Sequence, residues 1–477
     1  MRRPLLLFSL LLASACGKAP PAHPEIEEDE RRLGAEQHPQ LLAEFGGAYR
    51  SPEAAYVAGL GEKLADVAGL PGQCTFTLVN SDVVNAFAVP GCYIYVTRGL
   101  MGIVNSEAEL ASVLAHELGH IVADHGERQQ RRSVLRGIGV AAVGVLTGSE
   151  RLARMAGNAA QYFTLRYSRG QEYEADDLGI RYLKAAGYDP YAAADMLKAL
   201  ARQESYSNRT RDRDDAKSIP EWVRTHPLTE NRIVRARDEA EATGLAPDAL
   251  PEYEAPYLRQ VDGLLFGDDP EQGFVTGRRF AHPVMRIGFE APPGFTLTNS
   301  PQAILIEGPD GIRGEFAGGP LPRGGLDDYA AMIIRQILGG QPAEVGAAER
   351  GIVNGLPALV VPIRVQTQQG SAIISLATYA SSRGQAYHFL MFSPGNATAG
   401  LADLFASFHL LTAAEVASLH PRVIRTVIAR VGDTPATLAA RMASDHPLDL
   451  FLMLNGRTAD QPIRPGEPVK IVTLAGR

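Results

Sequence analysis

The run "ASVLAHELGHIVADHG", Ala111–Gly126, constrains the fold more than any other part of the chain. It is apolar, contains no proline and is long enough for a buried helix, yet it carries His116, Glu117 and His120. On a helix, residues four apart lie about 40° apart around the axis, so the two imidazoles share a face. Imidazoles so placed can take adjacent corners of a Zn2+ tetrahedron, with Glu117 beside them as general base. The alternative is a pair of structural histidines. Chance disfavours it, because H-E-x-x-H arises by accident in a chain of 477 residues at roughly the per-cent level.

A third ligand must come from elsewhere. The metzincin pattern places Gly and His three and six residues after the second histidine, and here those positions hold Ala123 and Gly126. His125 lies about 140° around a continued helix from His120, so spacing excludes it as a ligand. Further on, "YSRGQEYEADDLG" puts Glu172 and Asp176 four apart on one helical face. One carboxylate of such a pair can ligate zinc while the other accepts a ring N–H from a ligating histidine. A solvated acidic face is the competing reading. Glu174 points the opposite way and reads as structural.

A chain of this length is too long for one compact core, and with 45% hydrophobic and 21% charged residues it has material for several. A net charge of −8 argues against nucleic acid as a partner. No segment offers the roughly 20 unbroken apolar residues that a membrane span needs. Residues 1–15, "MRRPLLLFSLLLASA", read as a signal peptide with a basic start, an apolar middle and a small-residue end before Cys16. They resemble a bacterial lipoprotein signal, in which cleavage leaves Cys16 as the lipid-bearing first residue. Ala13 departs from the leucine usual there, and an ordinary secretory signal cleaved near Ala15 is the other reading. Gly17 after the cysteine implies sorting to the outer membrane, with acyl chains anchoring a body that has no transmembrane helix. Cys74 and Cys92 then lie in an oxidising compartment, either as a disulfide or as two unconnected thiols.

Patterning divides the rest. Residues 16–32, rich in Pro and Glu, read as a tether. Residues 33–266 read as a mainly α-helical domain with a small β-sheet, containing a long polar loop, Arg202–Pro220. Residues 281–412 read as an α+β domain with a mainly antiparallel sheet and no charged cluster of functional type. Residues 423–477 read strand–helix–helix–strand, and "VGDTPATLAARM", "FLMLNG" and "IRPGEPVKIV" resemble a LysM module. That resemblance implies binding to N-acetylglucosamine-containing glycans such as peptidoglycan.

The order "VNAFAVPGCYIYVTRGLM", "LAHELGH", "SRGQEYEADDLG" and "RTHPLTENRI" resembles the gluzincin peptidases of the HtpX/BepA type, relatives of the CAAX prenyl endoprotease. The resemblance covers about residues 33–266. It implies that Glu172 is the third zinc ligand beside His116 and His120, with one Zn2+ per chain, and that Asp176 is the partner that orients a ligand. It implies that "NAFAVPG" forms a strand edge to which an extended peptide can add. It also places His226 near the metal, as an oxyanion donor or as an occupant of the fourth position in a latent state, with Arg232 a second oxyanion candidate. A loop-cap role for His226 stays open, since one His-Pro pair is a weak motif. Where the family often has glycine after its Pro-Gly turn, this chain has Cys92.

 In plain terms, the sequence predicts a zinc metalloendopeptidase, lipid-anchored in the periplasm at the outer membrane, whose Glu117 serves as general base against misfolded or misassembled envelope proteins. The alternative is a peptidoglycan-associated chaperone or scaffold with a silent or latent protease site. The complete set of base and ligands counts against that alternative, since a purely structural site has no use for Glu117.

Overall fold

The computed structural model describes residues 25–126, 128, 167–210, 226, 230–339, 342–367, 370–395 and 397–476; the leader with Cys16, the polar run 211–220 and Pro227 lie outside them. In chain order the first region forms α1 (Glu28–Glu44), α2 (Pro52–Val67), β1 (Thr75–Val79), β2 (Ala86–Val89), β3 (Tyr93–Thr97), α3 (Arg98–Ile103) and α4 (Glu107–Val122). It continues with α5 (Arg169–Ala185), α6 (Ala192–Thr210), α7 (Glu230–Ala242) and α8 (Glu254–Gln260).

Helix α4 carries the histidines, and every residue from Ala108 to His120 is buried. Its start is fixed by sequence: the Ser106 hydroxyl accepts from Glu109 N at 3.0 Å, and Asn105 N donates to the Glu109 carboxylate at 2.7 Å. Such a cap contributes about 1 kcal/mol. Helix α5 starts on a reciprocal cap between Ser168 and Gln171. The two helices cross at glycines. A Cβ on Gly119 would lie 2.8 Å from the Ala175 carbonyl oxygen, and one on Gly179 would lie 3.2 Å from His116 N. Only this close approach brings Glu172 and Asp176 of α5 beside the histidines of α4.

The small sheet has the order β1-β3-β2, with β1 and β3 parallel and β2 antiparallel at the edge. Cys74 and Cys92 form a disulfide that ties together the starts of β1 and β3. Closing a loop of 18 residues in the unfolded chain stabilises by about 3 kcal/mol in the chain-entropy account. Cys92 has φ 59°, a left-handed conformation that favours glycine. A cysteine is held there by its bond to Cys74.

Two boundaries differ from expectation. Helix α1 begins at Glu28 and Ile26 is already buried, so part of the expected tether packs onto the domain. Its Glu28, Asp29 and Glu30 read as solvated charge in sequence, yet acidic groups also suit a helix N-terminus. Helix α6 runs to Thr210 and takes the first part of the expected polar loop. Its polar residues sit on the outer side of a helix whose inner side buries Met196, Leu197 and Leu200.

The next region is built on antiparallel sheets. Strands Leu356–Thr367, Gly370–Ala380 and Gln385–Pro394 are neighbours in the largest of them. Side chains alternate between its faces: Ile374, Leu376 and Leu390 pack under helix Leu326–Leu338, while Tyr379, Phe389 and Met391 meet Phe289 and Phe408 on the other side. The final region is strand Arg422–Ile428, helices Pro435–Ala439 and Pro447–Leu454, and strand Pro468–Leu474. It is joined to the first. Strand Arg422–Ile428 pairs with Leu265–Phe266, and Ile424, Phe451 and Val472 share one buried cluster with Met101, Val104 and Leu110. The buried Lys470 ammonium donates to Gly102 O at 2.8 Å and to Val104 O at 2.7 Å, just before α4.

The glycine crossing makes a testable claim. Gly119→Ala is expected to lower unfolding free energy by about 1–3 kcal/mol, because backbone must move to admit the methyl group. Gly59→Ala, on the exposed side of α2 with nothing within 4 Å, is expected to be neutral or stabilising by up to about 1 kcal/mol. Denaturant melts of the two variants check both; equal effects would remove the crossing as a constraint.

Candidate metal centre

His116 and His120 project from α4 toward α5, and their Nε2 atoms lie 3.0 Å apart. Glu172 reaches the same point: Oε2 is 3.6 Å from His116 Nε2 and Oε1 is 3.7 Å from His120 Nε2. His226 completes the group, with Nδ1 3.1 Å from Glu172 Oε1 and 3.4 Å from His116 Nε2. One ligand atom from each of these four residues lies within 4.8 Å of the others, and all four residues are buried. Glu117 points in beside them, 3.6 Å from His226 Nε2, with a buried Oε1 that has no hydrogen-bond partner among the described residues.

Asp176 lies outside this group and orients it. Its Oδ1 is 2.9 Å from His116 Nδ1, so that nitrogen carries the proton and Nε2 keeps its lone pair. Arg232 grips Asp176 through Nε at 2.9 Å and an NH2 at 2.8 Å, and places its other NH2 2.7 Å from Glu172 Oε2. The guanidinium is thus engaged by two carboxylates. Sequence could have flagged it only as a charge without an assigned partner.

The electrostatics follow from burial. Burial opposes ionisation of Asp176, but Arg232 and His116 outweigh it and hold the carboxyl well below its ordinary range. Glu172 is likewise held below its ordinary value, against burial, by His226, Arg232 and His116. Burial pushes the Glu117 carboxyl up, with His226 and His116 pulling the other way. A raised carboxylate suits a group that must take and return a proton.

The residues fit a metal ion. Zinc bonds to nitrogen of about 2.0–2.1 Å give a tetrahedron with edges of about 3.3 Å, close to the separations among these nitrogen and oxygen atoms. Two imidazole lone pairs and a carboxylate facing one another in a dry site repel unless a cation lies between them.

His125 lies outside the group of ligand atoms, yet nearer to His120 than a continued helix would put it. It is fully buried, with Nδ1 2.9 Å from His120 Nδ1 and Nε2 3.1 Å from Glu174 Oε2. The helical wheel fails because α4 ends at Val122 and Asp124 has φ 52°, turning the chain back toward His120. A second acidic group, Asp189, Asp248 and Glu252, stands apart. Asp189 is used internally, accepting from Tyr191 N and Asp248 N.

Two histidines and a glutamate on a buried helix pair, with a second glutamate beside them, define a metallopeptidase-type centre. Residues 51–240 match the model described as peptidase family M48. The chain is 36% identical over 195 residues to the beta-barrel assembly-enhancing protease of Yersinia pestis, covering 39% of this chain and 38% of that protein. It is 33% identical over 219 residues to the protein of the same name from Escherichia coli, covering 44% and 43% respectively. The mitochondrial metalloendopeptidase OMA1 of Arabidopsis thaliana is 30% identical over 155 residues, covering 32% of this chain and 29% of that one. The chain thus spans about two fifths of the length of the beta-barrel assembly-enhancing proteases it matches.

The acidic group gives a pH prediction. Burial, then Asp195, Glu109, Asp189 and Asp248, push the Glu252 carboxyl up to about 7. In the unfolded chain it titrates near about 4.3. A raised carboxyl contributes stability that is present below the unfolded value and lost as pH rises through the folded one. Glu252→Gln should therefore raise the melting temperature over wild type near about pH 8 and leave it unchanged near about pH 4. An equal shift at both values would contradict the assignment.

Proposed function

We propose that this chain is a zinc-dependent endopeptidase that cleaves extended or misfolded proteins of the bacterial envelope. The observation that carries the reading is the convergence of His116, His120, Glu172 and His226 beside a buried Glu117 oxygen without a hydrogen-bond partner among the described residues. His116, His120 and Glu172 would hold Zn2+, which when bound supplies Lewis acidity toward a peptide carbonyl and makes water acidic near neutral pH. Glu117 takes the proton from the attacking water at its free oxygen, then delivers it to the leaving amine. Asp176 keeps His116 in the correct tautomer. Strand β2 lies at the edge of its sheet, where an extended substrate would add, and its Ala88 N–H bonds to the Glu117 carboxylate, which ties the strand to the base.

The substrate class rests on likeness to the beta-barrel assembly-enhancing proteases and on a cleft edge that suits unfolded chain. Anchoring through Cys16, periplasmic location at the outer membrane and peptidoglycan binding by the LysM-like tail belong to the same proposal, supported by the leader and tail sequences. The scaffold reading draws on one observation, the position of His226 among the ligand atoms, where it would fill the place that water needs.

Three variants test this reading. Glu117→Gln should bind zinc like wild type yet lose proteolysis of an unfolded substrate; retained cleavage would defeat the assignment of the base. In the same assay His226→Ala should raise the rate if the imidazole blocks the site, or lower it by about 10²–10³-fold if it donates to the oxyanion. A rate equal to wild type would leave His226 a loop-cap residue. Cys16→Ser should abolish incorporation of labelled fatty acid, and a wild type that takes up none would reduce the leader to a secretion signal.

A further inference from the structure

His116 has Asp176 behind it, whereas among the described residues His120 has no carboxylate at its outer nitrogen. What it has is a second imidazole. His120 Nδ1 lies 2.9 Å from His125 Nδ1, and His125 Nε2 lies 3.1 Å from Glu174 Oε2. Only one arrangement of protons satisfies this row with neutral rings. The Glu174 carboxylate can only accept, so His125 carries its proton on Nε2. Its Nδ1 is then an acceptor, and His120 must donate Nδ1–H to it. His120 Nε2 is left with a lone pair, facing His116 and Glu172.

We propose that His125 is a positioning residue for the metal centre, relaying the Glu174 carboxylate to His120 and fixing the tautomer in which His120 Nε2 can ligate. The inference rests on the zinc reading and deepens it. The row is built into the fold at each point. Gln171 Nε2 donates to His125 O at 3.2 Å, so the cap of α5 holds the turn that carries His125. Tyr167 stacks on the His120 ring at 3.8 Å and 23°, restricting its rotation. Glu174 is half exposed, and Arg128, which also bonds to Ala123 O, sits 3.5 Å from it. The buried ligand is thereby coupled to a carboxylate that remains solvated, which avoids burying another charge.

The test uses the full-length protein and reads zinc affinity by chelator competition. His125→Phe, which fills the space but accepts no hydrogen bond, should weaken zinc binding by about 10–100-fold. His125→Gln, whose amide oxygen can accept from His120, should recover much of the loss. Glu174→Ala should weaken binding by less, and should add nothing in the His125→Phe background. Nitrogen chemical shifts of His120 should report Nδ1–H in wild type and a mixture of tautomers in His125→Phe. A folded His125→Phe protein with affinity within about threefold of wild type would overturn the proposal. So would a Gln variant no better than Phe. If His125→Phe does not fold, Glu174→Ala decides: unchanged affinity and an unchanged His120 tautomer overturn it. Wild type that binds no zinc would instead defeat the metal reading on which the relay stands.

Discussion

Two helices can set an imidazole pair against a carboxylate pair only if their backbones nearly touch, and the crossing of α4 and α5 at Gly119 and Gly179 meets that condition. Longer side chains at those positions would hold the helices at the usual 8–10 Å and leave Glu172 short of the histidines. The same closeness excludes water, and this creates a second problem. Two carboxylates and two imidazoles in a dry seam are costly unless each has a partner. Arg232 supplies charge to both Asp176 and Glu172, and Asp176 in turn engages His116. One guanidinium thus makes the acidic side of the seam tolerable, and its planar fork suits two carboxylates where a lysine could address only one well.

What the sequence disclosed follows the range of the interactions involved. His116, Glu117 and His120 could be read together because a single helical period places them, and Glu172 and Asp176 could be paired for the same reason. Their joining across α4 and α5 came from family likeness, because no local rule reports that two helices cross. The position of His125 beside His120 was not readable from periodicity: the wheel holds to Val122, and Asp124 at φ 52° breaks it. Arg232 and the Cys74–Cys92 bond depend on contacts distant in sequence, which composition and spacing do not encode.

The tail shows the same limit from another side. Its strand–helix–helix–strand order was readable, but its attachment was not. Lys470 lies on the last strand, yet its ammonium binds the carbonyls of Gly102 and Val104 just ahead of α4. These are carbonyl groups in a buried place that would otherwise need other donors. Burial pushes the Lys470 ammonium down, while Glu109 in the first turn of α4 favours its charge. The end of the chain therefore supports the start of the helix that bears the site, and the two share one apolar cluster.

That connection bears on how function divides along the chain. The match to peptidase family M48 ends at residue 240, but the packing that holds α4 does not. Loss of the tail would uncover the cluster of Met101, Val104 and Leu110 and leave the Gly102 and Val104 carbonyls without Lys470. The tail's inner face completes the core beneath the helix that bears the histidines, while Ile428 and Val431 stay exposed on its outer side.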